Sequence, residues 1–208
     1  MSREKILQAT WELIKAEGIE NVTTRKIASH AETNIASVNY YFGSKEQLIN
    51  EVVKQRMEAF REAFQVLDET AIAPLTRLRQ FLHTYAALLV EHPELAKRLF
   101  LQESLFASQF EYKEFLKRQG FEKLVATMLE IIGPQPREKA LLMIRHIFGA
   151  LFFPLVIKGS FNPAIDTSFM DPHTSLDEQI DLFLEYYFSP FQAKPREEGR
   201  TMERNDEE

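Results

Sequence analysis

The chain has 208 residues, 45% of them hydrophobic, which is enough for one sizeable core or two small cores sharing an interface. It contains no cysteine, so disulfides and thiolate metal sites are excluded and a reducing, cytoplasmic setting is the simplest expectation. A formal net charge of -6 argues mildly against a nucleic-acid partner, and it makes the distribution of charge more informative than the sum.

The start, "MSREKILQAT", lacks the basic segment and apolar stretch of a signal peptide. The longest apolar run, Ile147 to Ile157, is shorter than a bilayer span, so a soluble, unexported protein without membrane contact is expected. The acidic balance sits in the tail after Pro195, "REEGRTMERNDEE". The first fifty residues are close to neutral, with Arg3, Lys5, Arg25, Lys26 and Lys45 as available cations.

Glycine is scarce and apolar residues recur three and four apart, so an all-α chain of about nine helices is predicted. Ser2 caps a first helix that buries Ile6, Ala9 and Leu13 and ends at Gly18, after which Ile19 and Val22 return to the same core. Thr23 caps a second helix, "TRKIASHA", with Ile27 and Ala28 inward, and Asn34 caps a third, "IASVNYY", after a break at "ETN". Gly43 closes the third helix, and "SKEQ" from Ser44 has the spacing of a capping box for a fourth that runs to about Leu67.

Beyond Pro74 the pattern predicts helices at roughly 74 to 91, 93 to 107, 109 to 132, 136 to 158 and 177 to 188, with a long loop before the last. Three parts are expected: residues 1–48, residues 49–192 and a disordered acidic tail, 193–208.

Two short helices joined by a tight turn, the second capped and polar on its outer face, form a helix-turn-helix whose second helix fits the major groove of B-DNA. Val38 and Phe42, four apart, anchor that helix and leave Ile35, Ala36, Ser37, Asn39 and Tyr40 on or near the outside. Asn39 can bind adenine bidentately, Ser37 can bond several base edges, and Ile35 or Ala36 can touch a thymine methyl. Thr23, Arg25, Asn34, Tyr41 and Lys45 flank the reading helix, where hydroxyl, amide and cationic groups can hold phosphates.

The segment "ILQATWELIKAEGIENVTTRKIASHAETNIASVNYYFGSKEQL", residues 6 to 48, resembles the DNA-binding domain of the TetR family of bacterial transcription regulators. The shared features are a first helix ending near glycine, a Thr-led second helix with "IA", and a reading helix closing in Tyr-Phe before "SKE". The resemblance implies a homodimer whose two reading helices enter successive major grooves of a near-palindromic operator, usually repressing transcription until a small molecule binds the C-terminal domain. This chain departs from the family pattern at Glu32, where glycine is usual in the turn, at Thr33, where an aliphatic residue is common, and at Asn39, where many members have tyrosine.

The rest of the chain is rich in phenylalanine at helical spacing, most of which must fill the core. The excess can line a cavity for an apolar or aromatic ligand, with Tyr85, Phe100, Glu103, His146 and Phe152 as its expected residues. The helices near 136 to 158 and 177 to 188 are apolar on broad faces, and in the family the last two long helices pair across the dimer. The expected dimer contacts are therefore Phe148, Leu151, Leu155, Ile180, Phe183, Leu184 and Tyr187, with Gly149 and Ala150 permitting close approach.

An enzyme is the competing class. The five histidines show no metal-binding spacing, and no nucleophile elbow, phosphate loop or dinucleotide fingerprint is present, so neither catalysis, a metal nor a cofactor is expected. A helix-turn-helix that packs on a protein instead of DNA is the other alternative.

Overall fold

A computed structural model describes residues 2–101, 107–157 and 175–192. Glu103, the expected long loop and the acidic tail lie outside the described residues. Every described element is helical, in the order α1 (Arg3–Glu17), α2 (Thr24–His30), α3 (Ile35–Phe42), α4 (Lys45–Glu62), α5 (Pro74–Glu91), α6 (Pro93–Leu101), α7 (Ala107–Phe115), α8 (Phe121–Ile132), α9 (Arg137–Ile147), α10 (Phe153–Ile157) and α11 (Leu176–Gln192). A π turn at Leu116–Gly120 joins α7 to α8 and another at Phe148–Phe152 joins α9 to α10, so the eleven segments make nine rods among the described residues.

The N-terminal helices are held by local caps. Ser2 Oγ accepts from the Lys5 N–H, Thr23 Oγ1 from Lys26, Asn34 Oδ1 from Ser37 and Ser44 Oγ from Gln47, each satisfying one orphan donor of a first turn. Gly43 closes α3 at φ +75, a backbone conformation that a Cβ disfavours. Glu32 adopts φ +52 in the turn before α3, so the chain keeps the left-handed turn that glycine serves more easily. The turn is fixed by Thr33 N–H donating to the Ala28 carbonyl at 2.7 Å, and Glu32 is tied to Lys5 at 2.5 Å.

α1 packs on α2 and α4, and α3 on α2 and α4. The boundary expected at residue 48 falls inside α4, whose N-terminal half buries Leu48, Ile49 and Val52, and whose C-terminal half carries Phe60 toward α5 and α7. One contiguous apolar cluster runs through both halves of the chain.

The fourth helix is shorter than its apolar pattern predicts, because after Glu62 the chain tightens into a 3₁₀ turn, Ala63–Asp68, that buries Phe64 and Leu67. Arg77, almost fully buried on α5, binds this turn: its Nη1 donates to the Leu67 carbonyl at 2.6 Å and its Nη2 to Glu130.

α11 runs past the expected end at 188 and through Pro190, whose missing N–H orphans the Tyr186 carbonyl. Ser189 Oγ donates to that carbonyl at 2.9 Å, which replaces the lost bond.

Fusion of α9 with α10 gives a stretch, Arg137–Val156, whose length and mean hydropathy of 1.6 meet the requirement for a bilayer span, unlike the shorter run read from the sequence. A core rod passes the same test, and this one packs on α5, α6 and α8.

Candidate nucleic-acid interface and core cavity

α3 presents two unlike faces. Val38 and Phe42 are buried, while Ile35, Ala36, Asn39, Tyr40 and Tyr41 are exposed, Tyr40 at 84% of its surface. Ser37 is half-buried at the side of the helix. The Tyr40 and Tyr41 rings meet edge to face at 5.4 Å, so the pair forms a stiff aromatic step beside the Asn39 amide. No charged residue lies on α3, which leaves base-edge chemistry to Asn39, Ser37 and the small N-terminal residues.

The flanking groups divide by what they are already doing. The side-chain oxygens of Thr23 and Asn34 serve as caps, which leaves the Thr23 hydroxyl proton and the Asn34 Nδ2 donors for outward bonds. Of the six cations in the first fifty residues, Arg3 pairs with Glu51, Lys5 with Glu32 and Lys26 with Glu17, while Lys15 lies near Glu12 on α1. Among the described residues Arg25 and Lys45 have no acidic partner, so the full positive charge around α3 is concentrated on those two. Arg25 is exposed and Lys45 half-buried. Single-sequence reading cannot make this division, since the Lys5 and Arg3 partners lie 27 and 48 residues away.

A cavity of about 100 Å³ opens in the C-terminal bundle, walled by the rings of Phe64, Tyr85, Phe100, Tyr112, Phe121 and Phe148. Both π turns contribute to it, through Leu116 and Phe148. Gly120 lets the first of them close on the 3₁₀ turn, because a Cβ there would stand 3.1 Å from Phe64 Cε1. The Tyr85 and Tyr112 hydroxyls are bonded to each other at 3.0 Å. Burial pushes the Tyr85 phenol up to about 12 and raises Tyr112 as well, so both stay protonated.

Of the residues expected at a ligand site, Tyr85 and Phe100 line this cavity, and Phe152 is buried against the Tyr85 ring at 5.2 Å without lining it. His146 does not belong to it: the residue is exposed, and its Nδ1 lies 2.8 Å from the Tyr187 hydroxyl on α11. Tyr112, Phe64, Phe121 and Leu116 were not distinguishable in the sequence from other core positions, because only the tertiary approach of α7 and α8 to α5 gives them a cavity to face.

An aromatic chain links this region to α1. Phe60 stands 5.4 Å from Tyr85 and 6.1 Å from Tyr112, His92 stands 6.1 Å from Phe60, and Trp11 meets His92 edge to face at 5.1 Å. The Arg56 guanidinium lies over the Trp11 ring at 5.2 Å. Burial pushes the His92 imidazole down, against the opposing influence of Glu91, and keeps it neutral in this stack.

The expected dimer residues are corrected in part. Leu151, Ile180 and Leu184 are buried inside the protomer and Phe148 turns into the cavity, since the apolar stripe of each rod is wide enough to serve two directions. Leu155, Phe183 and Tyr187 are half-buried. The outward apolar residues of these rods are Leu142, Phe153, Leu182 and Tyr186, the last two exposed at 54% and 72%, beside exposed Gly149 and Ala150. Ala150, Phe183, Leu182 and Tyr186 share a shallow groove.

Residues 6–52 match the model of the bacterial regulatory proteins of the tetR family. The chain is 25% identical over 122 residues to the HTH-type transcriptional repressor KstR2 of Mycolicibacterium smegmatis, covering 58% of each chain. It is 30% identical over 93 residues to the HTH-type transcriptional repressor NicS of Pseudomonas putida, covering 45% of this chain and 44% of that one. The matches thus span about half the length of these relatives. The transcriptional regulator FadR of Bacillus subtilis, solved in complex with stearoyl-CoA, shares the fold at a TM-score of 0.61 and 19% identity, over 90% of this chain and 98% of that one. The helix-turn-helix segment is therefore similar to that of the tetR family of bacterial regulatory proteins, and 90% of the chain shares the fold of a solved regulator.

Proposed function

We propose that the protein is a sequence-specific, dimeric, cytoplasmic transcription repressor, released from its operator when a small apolar or aromatic molecule fills the C-terminal cavity. The observation that carries this reading is the exposed, charge-free face of α3, flanked by the two cations that no carboxylate neutralises, Arg25 and Lys45. The repressors named among the relatives support it.

In this reading Asn39 and Tyr40 meet bases, with Ile35, Ala36 and Ser37 toward the start of the helix, while Thr23, Arg25, Asn34, Tyr41 and Lys45 hold phosphates. Residues 1–48 form the DNA-binding part, and residues 49–192 bind the effector and pair the protomers. The dimer forms through the outward face of α9, α10 and α11, where Ala150 and the small Gly149 let the rods approach and Leu182 and Tyr186 lose their exposure. A ligand that displaces Tyr85 or Tyr112 moves Phe60 on α4, and α4 follows α3 after two residues, so the reading helix tilts with it. His92 and Trp11 offer a second route from the same rings to α1.

Selection of bound duplexes from a random library, with Asn39→Ala beside the parent, tests the reading. The expected result is an enriched near-palindrome from the parent and a relaxed preference, by about 1–3 kcal/mol, at one base position per half-site in the variant. An unchanged preference in Asn39→Ala removes that residue from the readers, and no enrichment from a folded dimer, with or without an effector, removes the function.

A further inference from the structure

We propose that the cavity takes a single aromatic ring bearing a carbonyl or carboxylate oxygen, and that this oxygen accepts the spare proton of the Tyr85–Tyr112 hydroxyl pair. The inference rests on the reading of the cavity as the effector site and names what enters it.

The first observation is a count of protons. Two phenols carry two hydroxyl protons, and the Oη to Oη bond of 3.0 Å uses one of them. Among the described residues the second proton has no acceptor. Tyr85 and Tyr112 are 1% and 0% exposed, so bulk water does not solvate it either. Burial keeps both phenols protonated, which leaves the pair with a donor to give at neutral pH. A buried donor without an acceptor is unfavourable, and a ligand oxygen removes that penalty while a hydrocarbon does not.

Size and shape supply the second observation. A volume of about 100 Å³ is somewhat below that of an engineered apolar cavity of about 150 Å³ that holds one benzene. It therefore admits at most one ring and not the extended chain of a long-chain acyl group, whatever larger ligands other proteins of this fold hold. Six aromatic rings around the space offer edges and faces to a seventh. Lys113, next to Tyr112, is the one charged residue on the otherwise apolar lining among the described residues and has no acidic partner there, so it is the group that would pair with a carboxylate on such a ligand.

The test uses the full-length protein and four probes, toluene, acetophenone, benzoate and decanoate, with affinity measured by calorimetry. Acetophenone is expected to bind about tenfold tighter than toluene, the scale of one hydrogen bond to a buried donor. The double variant Tyr85→Phe/Tyr112→Phe, which leaves no phenol proton, is expected to erase that ratio without weakening toluene, and Lys113→Met to weaken benzoate alone. Equal affinity for toluene and acetophenone in the parent protein, a measurement that needs no variant, overturns the assignment of the hydroxyl pair. So does a Tyr85→Phe/Tyr112→Phe protein that keeps the ratio. Decanoate binding more tightly than benzoate overturns the single-ring reading.

Release of the selected duplex, measured with the same probes, separates this inference from the proposed function. Acetophenone that binds without releasing DNA contradicts the regulatory reading and leaves the ligand assignment standing. Release by toluene as effective as by acetophenone does the reverse.

Discussion

The first three helices and the bundle that follows are stabilised over different distances along the chain. In α1 to α3 the decisive bonds are short-range: Ser2, Thr23, Asn34 and, at the start of α4, Ser44 each accept from an N–H three residues on. In the bundle they are long-range: Tyr85 meets Tyr112, Arg77 meets Glu130, and His83 meets Asp177 and Asp181, at separations of 27 to 98 residues. A domain built from local caps can keep its outer face free for a partner, as α3 does, because its helices do not draw on that face for stability. The bundle is held by its buried aromatic and aliphatic side chains, and its cavity exists only where six rings and two π turns fail to fill the space.

The comparison is broken most severely at the residue both regions share. Phe60→Ala removes a fully buried ring that touches Tyr85, Tyr112 and His92 from the helix that α1 and α3 also pack on. It is expected to cost about 3–5 kcal/mol, with both regions unfolding in one transition in chemical denaturation. Two separate transitions in the parent protein would mean that α4 does not couple them. Arg77→Ala comes next, at about 1–3 kcal/mol, because the buried Leu67 carbonyl loses its donor. That loss belongs to the bundle, so hydrogen exchange is expected to quicken in α5 and α8 before it does in α3.

Local changes are smaller and confined. Asn34→Ala is expected to cost about 1 kcal/mol through the lost cap, with exchange quickening in the first turn of α3 and the bundle unaffected. Glu32→Gly is expected to raise the melting temperature slightly, since glycine takes φ +52 without strain and the exposed Lys5 pair contributes little. A fall in melting temperature would show that the Lys5 contact outweighs the strain.

The smallest effect expected is a dependence on pH in the bundle. His83 places Nδ1 2.6 Å from Asp177 and Nε2 3.1 Å from Asp181, and Arg79 also reaches Asp181, at 3.3 Å. Burial pulls the His83 imidazole down, but the bonds and charges of the two aspartates outweigh it, and its proton is held above the ordinary value of 6.5. A raised folded-state value means that the staple between α5 and α11 is fully present below 6.5 and is lost as pH rises through the folded value. Melting temperature against pH is expected to fall over that window in the parent and to lie flatter in His83→Gln.

These distances also explain what the sequence made legible. The caps and the split of α3 into Val38 and Phe42 inside and Asn39 and Tyr40 outside follow from spacings of three and four, whereas the turn at Glu32 is marked only by the family resemblance. Which cations remain free around α3 does not, because Glu51 and Glu32 come to Arg3 and Lys5 through tertiary packing. In the bundle, residue type was readable and direction was not. Ile180 and Leu184 lie on the same apolar helix as Leu182 and Tyr186, and only the packing of α11 on α5 decides which pair is inside. The π turns move Phe148 toward the cavity, and no feature of helical periodicity announces them. Tyr112 shows the limit best, since its role depends on a partner 27 residues away.

The affinity for the selected duplex as a function of salt tests the central claim, that the α3 face with Arg25 and Lys45 beside it is a DNA surface. The account predicts a steep fall, with each phosphate neutralised contributing about -0.9 to the logarithmic slope, and a loss of about one unit per protomer in Arg25→Ala and again in Lys45→Ala. A shallow slope, or one that neither substitution changes, would contradict it.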